Sequence, residues 1–269
     1  MKTMLNNKPK VSVIMSVYNG ETFLNDAIES ILRQTFSDFE FIIVNDKSTD
    51  NTENILREYI KRDERIKIIQ NSENIGLTKS LNKAIKQSKG TYIARMDADD
   101  VSEPERLEKQ IRFMGNNLNI VLCGTLGWII DDKGEKIKEK NLKTSYADIK
   151  KSLLFNNQFI HSSLFIRKDI LDKEGFYDES FQKSQDYELI LRLASKYQVA
   201  NLPDRLIEWR MNTNSLSWSN KEQELSAIRA RWRAITRYNY PKLIGLFNII
   251  IRIGWLCLPK RIKMRRFKK

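Results

Sequence analysis

Cysteine, histidine and long apolar runs are all scarce in this 269-residue chain, and each shortage removes a class of function. The two cysteines, Cys123 and Cys257, lie far apart in apolar surroundings. Neither a disulfide framework nor a zinc-ligand spacing results, as expected of a reducing, cytosolic setting. His161 is the only histidine. No apolar stretch reaches the roughly 20 residues that carry a helix across a bilayer, and "MKTMLNNKPKVSVIMSV" holds no signal-peptide core, so secretion is not expected. Three nucleotide and hydrolase signatures are missing too. There is no G-x-G-x-x-G after the first strand, no G-x-x-x-x-G-K-[ST] and no G-x-S-x-G, which excludes the dinucleotide fingerprint, the P-loop and the α/β-hydrolase elbow.

Negative charge is absent from one end. Residues 241–269 hold nine Lys or Arg and no Asp or Glu, so they carry +9 of the formal +13 and leave +4 for the first 240 residues. A block at one terminus reads as an anchor or tail rather than the basic face a nucleic acid needs, and no nucleic-acid partner is expected. Residues 243–258 form a 16-residue apolar segment interrupted by Arg252. Gly245, Asn248, Arg252 and Pro259 fall at spacings of three, four and seven and trace one narrow stripe. A helix apolar around most of its circumference, followed by six basic residues in nine, fits an anionic membrane surface better than a core helix with a solvated tail. The expected organisation is one globular domain at 1–220 and a basic, helical membrane-association region at 221–269.

What is present is alternation. "VSVIMSV" (11–17), "FEFIIVN" (39–45), "IKIIQ" (66–70) and "TYIARM" (91–96) read as strands. Helical spacing separates them at about 23–32, from Thr49 or Asp50 to about Arg62, and at about 77–88. Continuous apolar strands joined by helices mean a parallel sheet covered on both faces. Further on, "PERLEKQIRFMGNN" reads as a helix, and "IVLCGTLGWIIDDKGEKI" as two strands about a turn at Asp132, Lys133 and Gly134, so the sheet becomes mixed. A helix near 146–154, a strand at 159–167, a helix at 185–197, a strand near 206–210 and a helix at 221–238 follow.

In such sheets ligands bind beyond the carboxyl ends of the strands. That rule puts residues 16–19, Asp46, Asn74 with Gly76, and residues 97–100 on one rim. Asp97, Asp99 and Asp100 in "MDADD" repel one another unless compensated, so a bound metal, a ring of donors and solvent exposure all remain open. A carboxylate-lined crevice without nucleotide signatures suits Mg2+ whose shell is completed by the phosphates of a nucleoside diphosphate compound.

Five segments in order carry a resemblance: "VSVIMSVYNGETFLNDAIESILRQTFSDFEFIIVNDKSTDNT", "NIGLTKSLNKAI", "GTYIARMDADD", "HSSLFIRK" and "SQDYELILRLA". Together they resemble the family 2 glycosyltransferases of the GT-A fold, especially bacterial enzymes that build O-antigen, capsule or related surface glycans. The resemblance spans about residues 9–217. It implies an α/β, Rossmann-like mixed sheet with a mainly parallel nucleotide-sugar-binding half at 9–100, an acceptor half at 101–220, and helices at the C-terminus.

The same resemblance implies residue roles. Ser16, Tyr18 and Asp46 hold the base of the nucleotide, with Asn74 on the same rim. Asp46 can accept the N3 proton of uracil, and thymine or guanine could satisfy it as well; capping of the turn at Lys47 and Ser48 is its competing role. Asp97 and Asp99 match the D-x-D motif, Asp97 facing the ribose or metal shell and Asp99 coordinating Mg2+ or Mn2+ on the diphosphate. Asp100 is expected to turn away and cap the helix beginning near Glu103. Asp186 falls at the catalytic base of an inverting single displacement, with Gln185 where Glu is usual and helix capping as the alternative. His161 corresponds to a position near the metal and acceptor. Arg210 matches the arginine of a Tyr-Arg-x-His segment that contacts the diphosphate, but Trp209 replaces the Tyr and Asn212 the His, so weaker metal dependence is expected.

The implied reaction moves a hexose or N-acetylhexosamine from a UDP-sugar, of galactose or glucose type, to a saccharide acceptor that is polyprenyl-linked. GDP- and dTDP-sugars are the alternatives. The implied location is the cytosolic face of the plasma membrane, by peripheral contact, and the oligomeric state, homo-oligomer included, stays open. Two competing readings differ in kind. A non-catalytic basic protein that binds anionic lipid or nucleic acid would show steep salt dependence and indifference to Asp99 and Asp186. A nucleotidyltransferase would need a basic phosphate loop that "VYNGETF" does not supply.

Overall fold

The computed structural model describes residues 8–211 and 221–257. Asn212 and the basic residues after 257 lie outside them, as does the expected boundary near residue 220. The N-terminal half alternates β1 (Val11–Val17), α1 (Leu24–Leu32), β2 (Phe39–Asn45), α2 (Thr52–Arg62), β3 (Ile66–Gln70), α3 (Leu77–Gln87) and β4 (Tyr92–Arg95). These strands pair in parallel in the order β3-β2-β1-β4. The apolar run of β1 is continuous because both its faces are covered. Val11, Val13, Met15 and Val17 point into a core with Leu24 and Ile28 of α1 and Leu56 of α2, whereas Ile14 packs with Leu81 and Ile85 of α3.

Parallel register aligns the strand ends. Val17 lies opposite Asn45, Asn45 opposite Gln70, and Ile14 opposite Arg95, so four loops leave the sheet at one edge. The second half comprises β5 (Val101–Ser102), α4 (Arg106–Asn116), β6 (Ile120–Ile130), β7 (Lys136–Lys140), α5 (Tyr146–Ser152), β8 (Phe165–Arg167), α6 (Lys168–Glu174), α7 (Gln185–Lys196) and β9 (Gln198–Arg210). Here the sheet is mixed. β8 runs antiparallel to β4 and β6, β9 parallel to β6, and β5 antiparallel to β9, with β7 a hairpin partner of β6. Then α8 (Lys221–Arg237) and α9 (Lys242–Cys257) follow; α8 buries Ala230, Ala234 and Ile235 in the core beside α7.

Three expectations need correction. The strand expected at 159–167 survives only as β8, because residues His161–Ser163 form a 3-10 turn. Its serines use their side chains locally: Ser163 Oγ donates to the Ile160 carbonyl and accepts from the Thr125 N–H, and such bonds compete with a strand ladder. The strand near 206–210 extends back to Gln198, and α6 and β5 were not anticipated. The helix expected from Glu103 starts at Arg106 without a side-chain cap, and Asp100 is engaged elsewhere.

Candidate active site

The rim after β1 and β2 is built by short side chains bonding backbone. Asn19, at a left-handed φ of 52°, accepts from the Thr49 N–H through Oδ1 and donates its own N–H to Ser48 Oγ. Ser16 is half-buried at the end of β1 and Tyr18 beside it is exposed. Asp46 is buried, and its carboxylate draws the next loop inward. Oδ1 accepts from Asn71 Nδ2 at 2.8 Å and the Ile75 N–H at 2.9 Å, and Oδ2 accepts from the Gly76 N–H at 2.8 Å. Gly76 has φ 85°, a region that glycine enters without strain, and it opens α3. The turn-capping role considered for Asp46 belongs to its neighbour, since Asn45 Oδ1 accepts from the Ser48 N–H.

Beyond β4 the acidic loop wraps a buried cation. Arg95, almost wholly buried, pairs with Asp97 Oδ1, and its charge also acts on Asp99, His161, Tyr177 and Asp186. Burial pushes the Asp97 carboxyl up, but the Arg95 charge and the Ser162 hydroxyl outweigh it and hold Asp97 below its ordinary value. Asp99 goes the other way, raised to about 6 by burial and by the neighbouring Asp97 charge. Asp100 is also raised well above its ordinary value, first through burial and then through Asp99 and Asp97.

Ser162 Oγ touches both Asp97 Oδ2, at 2.7 Å, and Asp100 Oδ2. A hydroxyl has one proton, so it cannot donate to both. A protonated Asp100 resolves the conflict, giving its proton to Ser162 Oγ while Ser162 donates to Asp97. Asp100 Oδ1 remains an acceptor for the Arg210 N–H at 2.8 Å. Asp100 is thus an internal post of the loop and not a helix cap. Arg210 is spent on the same structure: Nε donates to the Asp99 carbonyl, Nη1 to the Asp131 carbonyl, Nη2 lies 3.5 Å from Asp26 Oδ2, and the guanidinium stacks on Phe23.

A cleft of about 570 Å³ opens beside this loop, lined by Asn74, Gly76, Lys79, His161, Lys183 and Asp186 among others. Asp97 and Asp99 are not part of its wall. Asp186 lies in the first turn of α7, where it receives Asn157 Nδ2 at 2.8 Å on Oδ2, and the residue before the helix is Ser184. It is therefore not the helix cap. Burial raises its carboxyl, the Asp97 charge adds to the rise, and the first-turn N–H groups and Arg95 oppose it. His161 Nε2 sits 3.0 Å from the Tyr177 hydroxyl. Burial and Arg95 lower its ring to about 3, so it is neutral near neutral pH.

The comparisons decide what this arrangement is. The description "Glycosyl transferase family 2" matches residues 12–175, more than half the chain. The chain belongs to glycosyl transferase family 2. It is 38% identical over 210 residues to the O-antigen biosynthesis glycosyltransferase WbnJ of Escherichia coli, covering 76% of this chain and 81% of that one. It is 31% identical over 265 residues to the amylovoran biosynthesis glycosyltransferase AmsE of Erwinia amylovora, covering 96% and 98%. Among solved structures, S. aureus TarS in complex with UDP-GlcNAc superposes with TM-score 0.72 at 18% identity, covering 91% of this chain and 71% of that chain. A mannosyltransferase from Pyrobaculum calidifontis in complex with GDP-Man and Mn2+ gives 0.65 at 14%, covering 93% and 70%. The fold is GT-A.

This family 2 glycosyltransferase can be tested for a divalent ion on its own donor set. Among the described residues no three His, Cys, Asp or Glu side chains form a metal cage, so Asp97, Asp99 and His161 do not converge as one ligand set. Among the described residues Asp99 is the carboxylate left available, with a hydrogen bond from its own backbone N–H, whereas both Asp97 oxygens are engaged. One or two carboxylates with phosphate oxygens and water is the way Mg2+ and Mn2+ are commonly held, so the residues fit such an ion. In the tautomer that donates from Nε2 to Tyr177, His161 Nδ1 keeps a lone pair.

Sequence reasoning missed Arg95, Ser162, Tyr177 and Asn157. Only Arg95 left a signal, as a lone charge inside the apolar strand "TYIARM".

The raised carboxyls of this glycosyltransferase imply a stability profile. Folded Asp99 keeps its proton to about pH 6, against 3.8 ordinarily. Between those values the native state binds more protons than the unfolded chain, so stability falls as pH rises through the window. Asp100 and Asp186 act with the same sign. Lowered carboxyls act oppositely but below the window, as with Asp178 at about 2, where hydrogen bonds from Ser180 and Arg233 outweigh burial. His161, lowered from 6.5 to about 3, acts with the opposite sign over the same range, so the Asp99 share is read by difference: between about pH 4 and about pH 7 the Tm of the metal-free wild type should fall relative to that of Asp99→Asn, with Mn2+ raising the wild-type Tm more at the higher pH. An Asp99→Asn variant with the wild-type slope would contradict this.

Proposed function

We propose that this chain is an inverting glycosyltransferase that moves a hexose or N-acetylhexosamine from a UDP-sugar to a lipid-linked saccharide, in surface-polysaccharide biosynthesis at the cytosolic face of the plasma membrane. The observation that carries the reading is Asp186, one carboxylate with a raised pKa in the cleft wall, within reach of the Arg95 and Asp97 charges. A single displacement needs one base. The acceptor oxygen bonds to the anomeric carbon as the bond from that carbon to the diphosphate oxygen breaks, and the acceptor proton passes to Asp186. Asn157 and the first-turn N–H groups use only part of the acceptor capacity of the carboxylate, which leaves lone pairs for that proton.

Asp46 supports a uracil-type base. Among the described residues its Oδ2 accepts a single N–H, from Gly76, so a lone pair remains for an imide proton. Tyr18 and Ser16 flank it on the rim. A divalent ion on Asp99 would neutralise charge developing on the departing nucleoside diphosphate. Relatives named for O-antigen, teichuronic acid and amylovoran biosynthesis support a surface-glycan acceptor.

The test is a panel of UDP-, GDP- and dTDP-sugars with and without Mn2+, followed by melting and hydrolysis. At about 100-fold above its dissociation constant a true donor adds ~2.7 kcal/mol, which is roughly 5 °C or more in Tm for a chain of this size. UDP-sugars should give that shift and slow hydrolysis. A response confined to GDP- or dTDP-sugars moves the donor, and no response to any of them defeats the reading.

A further inference from the structure

The polar stripe of α9 faces inward. Gly245 packs so closely on α8 that a Cβ there would lie 2.1 Å from Ile235 Cγ2, and Asn248 and Ile249 are buried. Arg252 turns the same way, donating through Nη2 to the Phe155 carbonyl at 2.8 Å and to Asn156 Oδ1, with Nη1 3.3 Å from Glu224. Apart from the exposed Lys242 at its first position, the helix thus turns its polar side chains to the domain. What it presents outward is apolar: Leu243, Phe247 and Ile250 at 84%, 62% and 67% exposed, flanked by Ile244, Ile251 and Ile253.

At 3.6 residues per turn these exposed positions fill an arc of about 180°, and the four inward positions fill about 100° on the opposite side. Soluble monomers rarely leave such a patch bare.

α9 is roughly 24 Å long, and no described helix is long and apolar enough to cross a membrane, so α9 would lie in an interface. The 12 residues after it include seven Lys or Arg and no acid. A second copy docked with its α9 parallel to this one would bring two such blocks together at a cost in like-charge repulsion, and one docked antiparallel would leave both blocks without a counter-charge. An anionic headgroup layer complements the block instead.

We propose that α9 is an interfacial docking helix. It lays its outward face into an anionic bilayer surface while the basic segment binds headgroups, and Arg252 fixes the helix to the domain that bears the cleft. The connection is short. Arg252 and Arg231 hold the carbonyls of residues 154–155, and Asn157, two residues on, holds Asp186. Docking therefore sets how the cleft sits above the membrane, which suits an acceptor confined to that plane. This last consequence rests on the function proposed above; the docking itself does not.

Flotation of the full chain with phosphatidylcholine vesicles, with and without phosphatidylglycerol, tests it. Binding should require the anionic lipid and weaken as salt rises. The double variant Phe247→Ser, Ile250→Ser should lower partitioning at least about tenfold, with far-UV dichroism, Tm and UDP-sugar hydrolysis in solution unchanged. Equal flotation of variant and wild type, or none by wild type, overturns the proposal. So does a wild-type dimer in sedimentation velocity that the double variant abolishes, which would give the face to a second copy. Hydrolysis without docking sinks this inference alone, and docking without hydrolysis sinks only the enzymatic reading.

Discussion

Asp186→Asn is expected to lower transfer by about 10²- to 10⁴-fold while leaving UDP affinity nearly unchanged. The amide has the shape of the carboxylate and can still meet Asn157, but it cannot take a proton. Nothing in the fold depends on its charge, because burial already disfavours the ionised form and the nearby Asp97 repels it. Single-turnover transfer paired with calorimetric UDP binding separates chemistry from affinity. A variant that retains turnover within about tenfold of wild type would remove Asp186 from the role of base. Because burial raises this carboxyl, kcat should also climb with pH through a value above the ordinary 3.8.

The second large effect is expected at Asp99. Asp99→Asn should cost about 10²- to 10³-fold in kcat/KM and most of the Mn2+ affinity measured in the presence of UDP. The same substitution should make the metal-free protein more stable near neutral pH, since it deletes a charge that burial and Asp97 both oppose. Opposite signs in function and stability distinguish a metal-facing carboxylate from a structural one. Wild-type Mn2+ affinity in the variant, or a fall in its Tm, would remove the assignment. Asp100 offers the internal contrast: its carboxyl is buried, with one oxygen on Ser162 and the other on the Arg210 N–H.

The parallel half was legible almost residue by residue. β1, β2 and β3 match the expected strands; β1 and β2 are buried almost throughout and read as continuous apolar runs, and β3 is a half-exposed edge strand bounded by polar residues. The carboxyl-end rule then placed Asp46, Asn74, Asp97 and Asp99 on one edge before any contact was known. Reading failed where side chains capture backbone. "FIHSSLFIR" has the composition of a strand, yet the hydroxyls of Ser162 and Ser163 turn it into a bend that locks the acidic loop. The stripe on α9 was legible as a pattern but not as a direction: it faces protein rather than headgroups.

From sequence alone come the sheet, its edge and the carboxylates that reach it, because strand and helix periodicity is written in neighbouring residues. Which of those acids is free and which is spent was decided by folding. Asp97 and Asp100 find Ser162 at separations of 65 and 62 residues, and Asp99 and Asp100 are held by Arg210 from 111 and 110 residues away. Periodicity carries no record of partners that distant, and only the packed chain brings them within hydrogen-bonding reach.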